Sequence, residues 1–383
     1  MNRITTWQVP TRLVFGPGCA EQAGPELRQL GGSKALIVTD RGVEGAGLLD
    51  GILASLKAAG VDHAVYKEVV SNPTIYCAED AAALYRAEGC DCLLAVGGGS
   101  AMDTTKVTGG VLATGLSVRE MEGTEKARTP IPPFVAIPTT CGTGSEVTWA
   151  AVIVDPERHF KMGIRSSVFF PKVALIDARL LTRLPVPIVA STGIDALCHA
   201  LESYTTLNSN PISDSLDLGA ISLVSKWLRL AVADGDLEAL SYMLLASTMA
   251  GMGFGNTACT LVHAMSHPVS GFYGVPHGVA NAVLLPSIME FNLIGTPTRF
   301  GEVARAMEED TSGLPALGAA KLAVKAVREL IKDVGIPESF KPYGVTEEHL
   351  EAMVEDSLLS PNVPRNPVRV TREDVAAIYR RVI

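Results

Sequence analysis

Hydrophobic and polar positions follow different patterns in the two halves of the chain. Up to about residue 185, short apolar runs alternate with helical patterns. The runs are ALIVTD, DHAVYKEVV, CDCLLAVGGGS, FVAIPTT and VALID, and the helical segments are LLDGILASLKAAG, AEDAAALYRAEG and AMDTTKVTGGVLATG. Alternation of this kind builds a largely parallel sheet covered by helices. We therefore predict an α/β domain over residues 1–185.

The second half has helical periodicity throughout. The segments DLGAISLVSKWLRLAVAD, AAKLAVKAVRELIKDVG, TEEHLEAMVEDSL and TREDVAAIYRRVI repeat apolar residues at helical spacing. The Pro-rich LPVP at residues 184–187 separates the two patterns. We predict an all-helical domain over residues 186–383.

Composition and charge narrow the class of protein. The chain has 383 residues, 47% hydrophobic and 19% charged, which suits a globular protein with room for two domains. The net charge of −9, without a block of Lys and Arg, argues against a nucleic-acid surface. The segment MNRITTWQVP lacks the apolar core of a signal peptide, and no stretch approaches about eighteen uninterrupted apolar residues. We expect a cytoplasmic protein that does not bind membranes.

The seven cysteines do not predict a disulfide framework, because their number is odd and they are scattered along a long chain. No CxxC motif is present, so a structural thiolate zinc site has no support. Cys198 precedes His199, but adjacent helical positions diverge around the axis, so the two do not form a nucleophilic pair. We expect the thiols to be small core residues.

Two polar loops follow predicted strands in the first domain. LLAVGGGSAMDTTK joins a strand to a helix, predicted to open at Ser100, through three glycines whose N–H groups could approach a phosphate. GGGS also serves as a plain tight connection, so this motif alone is not decisive. AIPTTCGTGSEVT adds hydroxyl donors around two further glycines. Open α/β sheets hold ligands at the carboxyl ends of their strands, so the two loops together predict a dinucleotide site.

Asp40 ends the strand KALIVTD. A carboxylate at such a strand tip can accept hydrogen bonds from ribose hydroxyls and would repel a 2′-phosphate. Asp40 could instead be a turn or cap residue, and Arg41, directly after it, could pair with a 2′-phosphate. We expect the carboxylate to dominate, which favours NAD over NADP.

The helical half contains two pairs of metal-type ligands at i,i+4 spacing, which places each pair on one helix face. STGIDALCHALESY supplies Asp195 and His199, and LVHAMSHPVSGFYGVPHG supplies His263 and His267. The Pro and Gly of PVSGFYGVPHG are expected to break the helix and return the chain with His277. Thr192 is predicted as the N-cap of the first helix.

Each of these side chains could instead be a packed core residue, and the spacing does not say which of His263 and His267 would bind a metal ion. Taken together, two coincident i,i+4 pairs and a loop histidine predict a divalent metal site. Hydride transfer is the chemistry that uses both a nucleotide domain and such a site.

GGGSAMDTTK, PTTCGTGSEVT, GIDALCHALESY and LVHAMSHPVSGFYGVPHG occur in an order that resembles the iron-containing, or group III, alcohol dehydrogenase family. The resemblance covers essentially the whole chain. It implies a Rossmann-like nucleotide-binding domain with a largely parallel sheet, followed by an all-α metal-binding domain, in a dehydroquinate synthase-like architecture.

The resemblance also assigns residues. It implies that the metal ligands are Asp195, His199, His263 and His277, and that His267 lies near the nicotinamide and helps to move the proton. The NAD contacts that it implies are Asp40, Asn72, Gly97, Gly98, Gly99, Ser100, Asp103, Thr139, Thr140, Thr143, Ser145, Thr148, Lys161 and Leu180.

The implied activity is a metal-dependent alcohol dehydrogenase or aldehyde reductase that transfers a hydride between NAD(H) and a small primary alcohol, diol or aldehyde. The ion would polarise the substrate oxygen. Three imidazoles and one carboxylate suit Fe(II), which the family name favours, and also Zn(II), which the general affinity order favours. The alternative function is a metal-dependent lyase or cyclase of the dehydroquinate synthase-like kind, without net oxidation.

The opening segment ITTWQVPTRLVFG is predicted to be strand on both sides of Pro10. A terminal strand without a partner tends to pair with the sheet edge of another chain, and similar enzymes are homodimers. We expect at least a homodimer.

Overall fold

The structure is a computed structural model that describes residues 4–158 and 160–383. The chain divides into two compact units. The α/β unit comprises Gln8–Thr140 and Gly144–Leu184. The helical unit comprises Pro185–Ile383, together with Cys141–Thr143 and residues 4–7.

Strands and helices alternate along the α/β unit. The predicted strand segments correspond to β2, β3, β4, β6 and β9 below, which confirms the α/β class. In chain order the elements are β1 (Arg12–Phe15), α1 (Ala23–Gln29), β2 (Lys34–Val38), α2 (Arg41–Gly45), α3 (Asp50–Ala58), β3 (Asp62–Tyr66), α4 (Ile75–Glu88), β4 (Cys92–Gly97), α5 (Gly99–Thr114), β5 (Gly123–Thr124), β6 (Phe134–Pro138), β7 (Ala150–Asp155), β8 (Phe160–Arg165) and β9 (Val173–Ile176).

A six-stranded parallel sheet with the order β1-β9-β6-β4-β2-β3 forms the centre of this unit. Strands β4, β6 and β9 are buried along their whole length, as expected for apolar runs covered on both faces. Because β6, β4 and β2 are neighbours and parallel, their carboxyl ends meet at one edge of the sheet. This edge brings together the residues that follow the three strands, Asp40, Gly98 and Thr139.

A second, three-stranded sheet with the order β5-β8-β7 was not predicted. In this sheet β7 and β8 are antiparallel, with Ala150 opposite Arg165 and Asp155 opposite Phe160. Along β7 buried positions alternate with more exposed ones, so the strand lacks the continuous apolar run that revealed the central strands. Because its hydrophobic pattern is weaker than that of a strand covered on both faces, the sequence does not reveal this hairpin.

The second unit is helical, which confirms the all-α prediction. Helix α6 packs against α7, α8 and α10, and α9 packs against α10 and α13. The helices are α6 (Val186–Thr205), α7 (Pro211–Asp234), α8 (Leu237–Thr257), α9 (Leu261–Tyr273), α10 (His277–Asn292), α11 (Pro297–Ala306), α12 (Ala316–Asp333), α13 (Leu350–Leu359) and α14 (Arg372–Val382). Among the residues that the structure describes, no helix is long and apolar enough to cross a membrane.

Two predicted helix starts are wrong. Thr192 is not an N-cap, because α6 already begins at Val186 after Pro185, and the Thr192 hydroxyl donates to the carbonyl oxygen of Ile188 at 2.7 Å. The prolines of LPVP lie at the start of this helix, where a backbone N–H has no acceptor within the helix and its absence loses no hydrogen bond. Ser100 does not open α5, since Gly98 is the N-cap and Gly99 the first helical residue.

The helix break predicted within PVSGFYGVPHG occurs at one of its glycines and not at its first proline. Pro268 lies inside α9, and the helix ends at Gly274, whose φ of 68° is readily adopted only by glycine.

Near the N-terminus, the strand predicted after Pro10 is present as β1, but residues 4–10 do not form a strand in the isolated chain. The predicted strand on both sides of Pro10 is therefore wrong for the single chain.

Candidate functional site

Three helices of the helical unit converge at a cluster of metal-type ligands. Asp195 lies in α6, His263 in α9, and His277 is the first residue of α10. The Nε2 atoms of His263 and His277 lie 3.9 Å and 3.8 Å from Oδ1 of Asp195. Gly278 allows this approach, because a Cβ there would lie 2.4 Å from the carbonyl oxygen of Ser191 in α6. The packing of the three helices therefore brings one carboxylate and two imidazoles close together.

His199 lies beside this group, one turn after Asp195 on α6. Its ring stacks on the ring of His263 with centroids 4.5 Å apart. Its Nδ1 donates to the carbonyl oxygen of Gly142 at 3.2 Å, which leaves the lone pair on Nε2. Ligand atoms of His199, Cys259 and His263 form a second close group, so His263 joins the two groups.

Burial and charge keep the cluster suited to a cation. Burial lowers the pKa of His199 to about 4, so that this imidazole is neutral at pH 7. Burial alone would raise the pKa of Asp195. The neighbouring histidines and the amide of Asn281 lower this pKa by more than burial raises it, so the net pKa is below the usual value. A buried carboxylate among imidazoles is the donor chemistry of Fe(II) and Zn(II) sites.

Asn281 provides a direct test of whether these residues fit a metal ion. Its Nδ2 donates to Asp195 Oδ1 at 2.7 Å, and it also lies 3.2 Å from His263 Nε2 and 3.1 Å from His277 Nε2, so that three atoms share the two N–H groups of one amide. Three lone pairs thus converge on one small donor, which is the arrangement that a divalent ion requires. Oδ1 of Asn281 is buried and has no hydrogen-bond partner among the described residues. The residues present therefore fit the metal that the sequence predicts.

His267 lies one turn after His263 on α9. Its ring centroid is 5.4 Å from that of His277 and 6.2 Å from that of His263. Within residues 4–158 and 160–383, the groups of close ligand atoms include His263 and not His267. The geometry thus favours His263 over His267 as a metal ligand, a choice that the sequence spacing left open.

Sequence reasoning missed Glu202 and Asn281. Glu202 is buried in α6 and contacts Nδ1 of His263 with its Oε2 atom. Asp195, His199 and Glu202 have i, i+4, i+7 spacing, and His277 and Asn281 have i,i+4 spacing. The helical periodicity that identified the ligands could therefore have identified both residues.

The glycine loop lies at the carboxyl edge of the large sheet. Gly97 ends β4 with a φ of 159°, and a Cβ there would lie 2.7 Å from Cβ of Ala101. Gly98 is the N-cap of α5, with Gly99 and Ser100 in its first turn. A helix N-terminus preceded by a strand and glycines is suited to bind a phosphate group.

Asp40 caps α2, since its Oδ1 accepts from the N–H of Val43 at 2.9 Å. Its other oxygen faces the glycine loop, where a Cβ on Gly97 would lie 3.6 Å from Oδ2. Arg41 forms two hydrogen bonds with Glu68, at 2.7 Å and 3.0 Å. Asp40 is therefore a cap residue and also keeps one carboxylate oxygen at the predicted nucleotide edge.

Lys106, which the sequence analysis did not single out, organises the second polar loop. It is fully buried, and its Nζ donates to Ser145 O and Oγ, to Thr148 Oγ1 and to Ala150 O at 2.7–3.0 Å. Asp103 accepts from the Ser145 hydroxyl at 2.9 Å and lies 4.0 Å from Lys106 Nζ. Burial lowers the pKa of Lys106 to about 8, although the charge of Asp103 opposes this shift.

The other predicted NAD contacts lie in different settings. Thr139 is buried and its N–H donates to the carbonyl oxygen of Gly97 at 3.0 Å, while Thr140 is half-buried. Thr143 belongs to the helical unit. The remaining three are Asn72, exposed in the bend before α4; Lys161, half-buried in β8; and Leu180, buried in a short 3₁₀ helix.

Comparison with known proteins identifies the family. Residues 10–178 match the family model described as iron-containing alcohol dehydrogenase, and residues 189–383 match the C-terminal model of the Fe-containing alcohol dehydrogenase family. The chain belongs to the iron-containing alcohol dehydrogenase family. The predicted resemblance is thereby confirmed.

Individual relatives match over their whole length. The chain is 39% identical to a 1,3-propanediol dehydrogenase of Citrobacter freundii, covering 99% of both chains. It is 36% identical to the NAD-dependent methanol dehydrogenase of Bacillus methanolicus, covering 99% of this chain and 100% of that one. The crystal structure of a 1,3-propanediol oxidoreductase superposes with a TM-score of 0.98 at 39% identity, covering 100% of both chains. These similarities confirm an oxidoreductase and decide against the lyase or cyclase alternative.

Proposed function

We propose that this enzyme transfers a hydride between NAD(H) and a small primary alcohol, diol or aldehyde, with a divalent ion held by Asp195, His199, His263 and His277. The observation that carries this proposal is the convergence of Asp195 Oδ1, His263 Nε2 and His277 Nε2 on the single amide donor of Asn281. The family membership supports the same reaction class.

When bound, the ion would act as a Lewis acid that polarises the substrate oxygen and so stabilises the charge that develops during hydride transfer. The donor set suits both Fe(II) and Zn(II). The family description favours iron.

The chain's own residues supply position and protons. Glu202 holds the imidazole of His263 in place through its contact with Nδ1. His267 is half-buried, beside His277, and we propose that it exchanges the proton of the substrate hydroxyl with solvent. An imidazole suits this task because its ordinary pKa lies near neutral pH.

For the nucleotide, we propose binding at the carboxyl edge of β2, β4 and β6. Backbone N–H groups at the start of α5 would bind the diphosphate, and Oδ2 of Asp40 would accept from the ribose. Arg41 is held by Glu68, so its guanidinium is engaged elsewhere than with a 2′-phosphate. Asn72, Lys161, Leu180 and the threonines of the second loop remain proposed contacts. NAD is the preferred coenzyme in this proposal, and the relative from Bacillus methanolicus is described as NAD-dependent.

The proposal extends to domains, location and assembly. Residues 1–185 would form the nucleotide-binding domain and residues 186–383 the metal-binding domain. All seven cysteines are buried free thiols, which agrees with the reducing cytoplasm. Strand β1 is at an edge of the large sheet, and the residues before it are mostly exposed, which supports a homodimer formed through this edge.

A substrate panel tests the proposal. Purified enzyme is stripped with chelator, reloaded with Fe(II) or Zn(II), and assayed with short alcohols, diols and aldehydes by following the absorbance of NADH. We expect turnover that chelator abolishes and one of the two ions restores. Full turnover in metal-free enzyme would contradict the role of the ion, and no NADH-linked turnover with any substrate class would contradict the reaction.

A further inference from the structure

Glu202 connects the helix that carries Asp195 and His199 to the helix that carries His263. It is buried in α6, and its Oε1 accepts from the N–H of Thr260 at 2.9 Å, the hydroxyl of Thr260 at 2.7 Å and the N–H of Val262 at 2.8 Å. These N–H groups belong to the first turn of α9, where the helix itself offers no acceptor. The N-cap residue Thr260 makes no capping hydrogen bond with its own side chain. Glu202 therefore serves as the cap of α9.

The second carboxylate oxygen of Glu202 has a different partner. Oε2 contacts Nδ1 of His263, and both side chains are buried. A carboxylate only accepts hydrogen bonds when ionised, so Nδ1 must carry the proton. The opposite nitrogen, Nε2, lies 3.2 Å from the amide nitrogen of Asn281, which can only donate, so this contact favours a lone pair on Nε2. Both contacts therefore favour the same imidazole tautomer.

We propose that Glu202 is the positioning residue of the metal site: it holds His263 as the Nδ1–H tautomer and aims its Nε2 lone pair at Asp195 and His277. This inference rests on the proposed metal site. Histidines that bind metals commonly donate their other N–H to a carboxylate, which fixes the ring and makes it a better ligand. One side chain here also sets where α9 begins, so the position and the tautomer of His263 are fixed together.

Glu202→Gln separates the two roles of this carboxylate. The glutamine is nearly isosteric, and its carbonyl oxygen can still accept from Thr260 and Val262, so the cap of α9 is kept. Its NH₂ group then faces Nδ1 of His263 as a donor, which favours the opposite tautomer with the proton on Nε2. A residue that only caps the helix would tolerate this change, whereas a positioning residue would not.

Metal binding is the readout. Apo proteins are titrated with Co²⁺, followed by its visible absorption, and thermal unfolding of each apo protein is recorded. We expect Glu202→Gln to bind Co²⁺ about 10- to 100-fold more weakly than wild type, with an altered spectrum and an almost unchanged unfolding temperature. In turnover, kcat with Co²⁺ saturating should fall more than KM for the alcohol rises.

The matched control is Glu302→Gln, the same change elsewhere in the helical unit, where Glu302 accepts from the hydroxyl of Tyr204. We expect this variant to bind Co²⁺ as wild type does. Wild-type affinity in Glu202→Gln would overturn the inference about Glu202. Failure of the wild type itself to bind one equivalent of Co²⁺, together with no effect of His263→Ala, would overturn the proposed metal site instead.

Proton NMR of Co²⁺-loaded wild type gives a second measurement, which does not depend on how the variant folds. His199 and His263 are buried and donate from Nδ1 to Gly142 and Glu202, so both N–H groups are protected from solvent. We expect at least two hyperfine-shifted imidazole N–H resonances that exchange slowly. Absence of a slowly exchanging N–H resonance assigned to Nδ1 of His263 would overturn the proposal.

Discussion

The cluster proposed to bind metal and the sheet edge proposed to bind the nucleotide use polar side chains in opposite ways. At the cluster, Asp195, His263 and His277 converge on one amide donor with their lone pairs. At the nucleotide edge, Asp103, Ser145 and Lys106 already hydrogen-bond with one another. Side chains at the cluster are therefore available to bind a ligand directly, whereas side chains of the second loop mainly hold backbone in place.

This difference indicates where a single substitution should have the largest effect on catalysis. At the proposed metal site, loss of one ligand would remove a bond to the ion. Loss of one side-chain contact at the proposed nucleotide edge would leave most of the backbone N–H groups of the two loops in place. We therefore expect catalytic effects to be largest in the helical unit, and stability or coenzyme effects to dominate in the α/β unit.

The largest expected effect is that of His263→Ala. Removal of this ligand should eliminate bound metal and lower kcat by roughly 1,000-fold or more, since Lewis-acid stabilisation contributes several kcal/mol and each 1.4 kcal/mol is about tenfold. His267→Ala should keep the metal and slow turnover by roughly 100-fold, as expected for loss of a proton-transfer group. Metal analysis decides the assignment. A metal-free His267→Ala beside a loaded His263→Ala would reverse it.

Lys106→Met should produce the largest effect in the α/β unit, on stability. The change removes the buried cation that lies 4.0 Å from the carboxylate of Asp103, and it leaves four oxygen acceptors without their donor. Breaking a buried charge pair costs about 3–5 kcal/mol. Urea unfolding should report this loss, and Lys67→Met, which removes an exposed ion pair with Glu44, should cost less than about 1 kcal/mol. Equal losses in the two variants would contradict the role of Lys106.

Asp40→Gly tests whether the second carboxylate oxygen selects the coenzyme. A 2′-phosphate near this carboxylate would meet a like charge, at a cost of about 1–4 kcal/mol. We expect wild type to prefer NAD over NADP by about tenfold or more in kcat/KM, and Asp40→Gly to narrow this ratio. Steady-state kinetics with both coenzymes provides the measurement. An unchanged ratio would mean that Asp40 acts only as the cap of α2.

The smallest effect concerns Asp217, a buried carboxyl of the helical unit outside the metal cluster. Burial raises its pKa well above the usual value, although the hydroxyl of Ser203, which donates to it at 2.6 Å, acts in the opposite direction. The folded state therefore keeps a proton that the unfolded state releases. The stabilisation is complete below about pH 4 and is lost as pH rises through the folded pKa.

Asp217→Asn removes this titration and keeps an acceptor for Ser203. We expect the variant to be more stable than wild type by roughly 1 kcal/mol at pH 8, with the difference disappearing near pH 4. Chemical unfolding at both pH values measures it. A difference that does not depend on pH would show that Asp217 does not titrate between these values.

Much of the fold could be predicted, because its central strands are continuous apolar runs. The wholly buried β4, β6 and β9 appear in the sequence as such runs. The β7–β8 hairpin could not be found in this way, since alternating exposure weakens its pattern. The start of α6 was missed because the two prolines near it also signal a loop. The break predicted within PVSGFYGVPHG comes only at Gly274, because α9 continues through Pro268.

The candidate site was only partly predictable from spacing. The i,i+4 rule singled out Asp195, His199, His263 and His267, but which histidine faces Asp195 depends on how α9 packs against α6 and α10. Glu202 and Asn281 have helical spacing too, yet their roles depend on partners in other helices. Lys106 was missed because a lysine in a helix is usually solvated, and its complete burial becomes visible only in three dimensions.

The most direct test of the central claim is anomalous X-ray diffraction at the iron edge from crystals of the Fe(II)-loaded enzyme. We expect one anomalous peak per chain, bound by Asp195, His199, His263 and His277, with Nδ1 of His263 facing Glu202. A peak bound by His267 in place of His263, or a peak away from α6, α9 and α10, would contradict it.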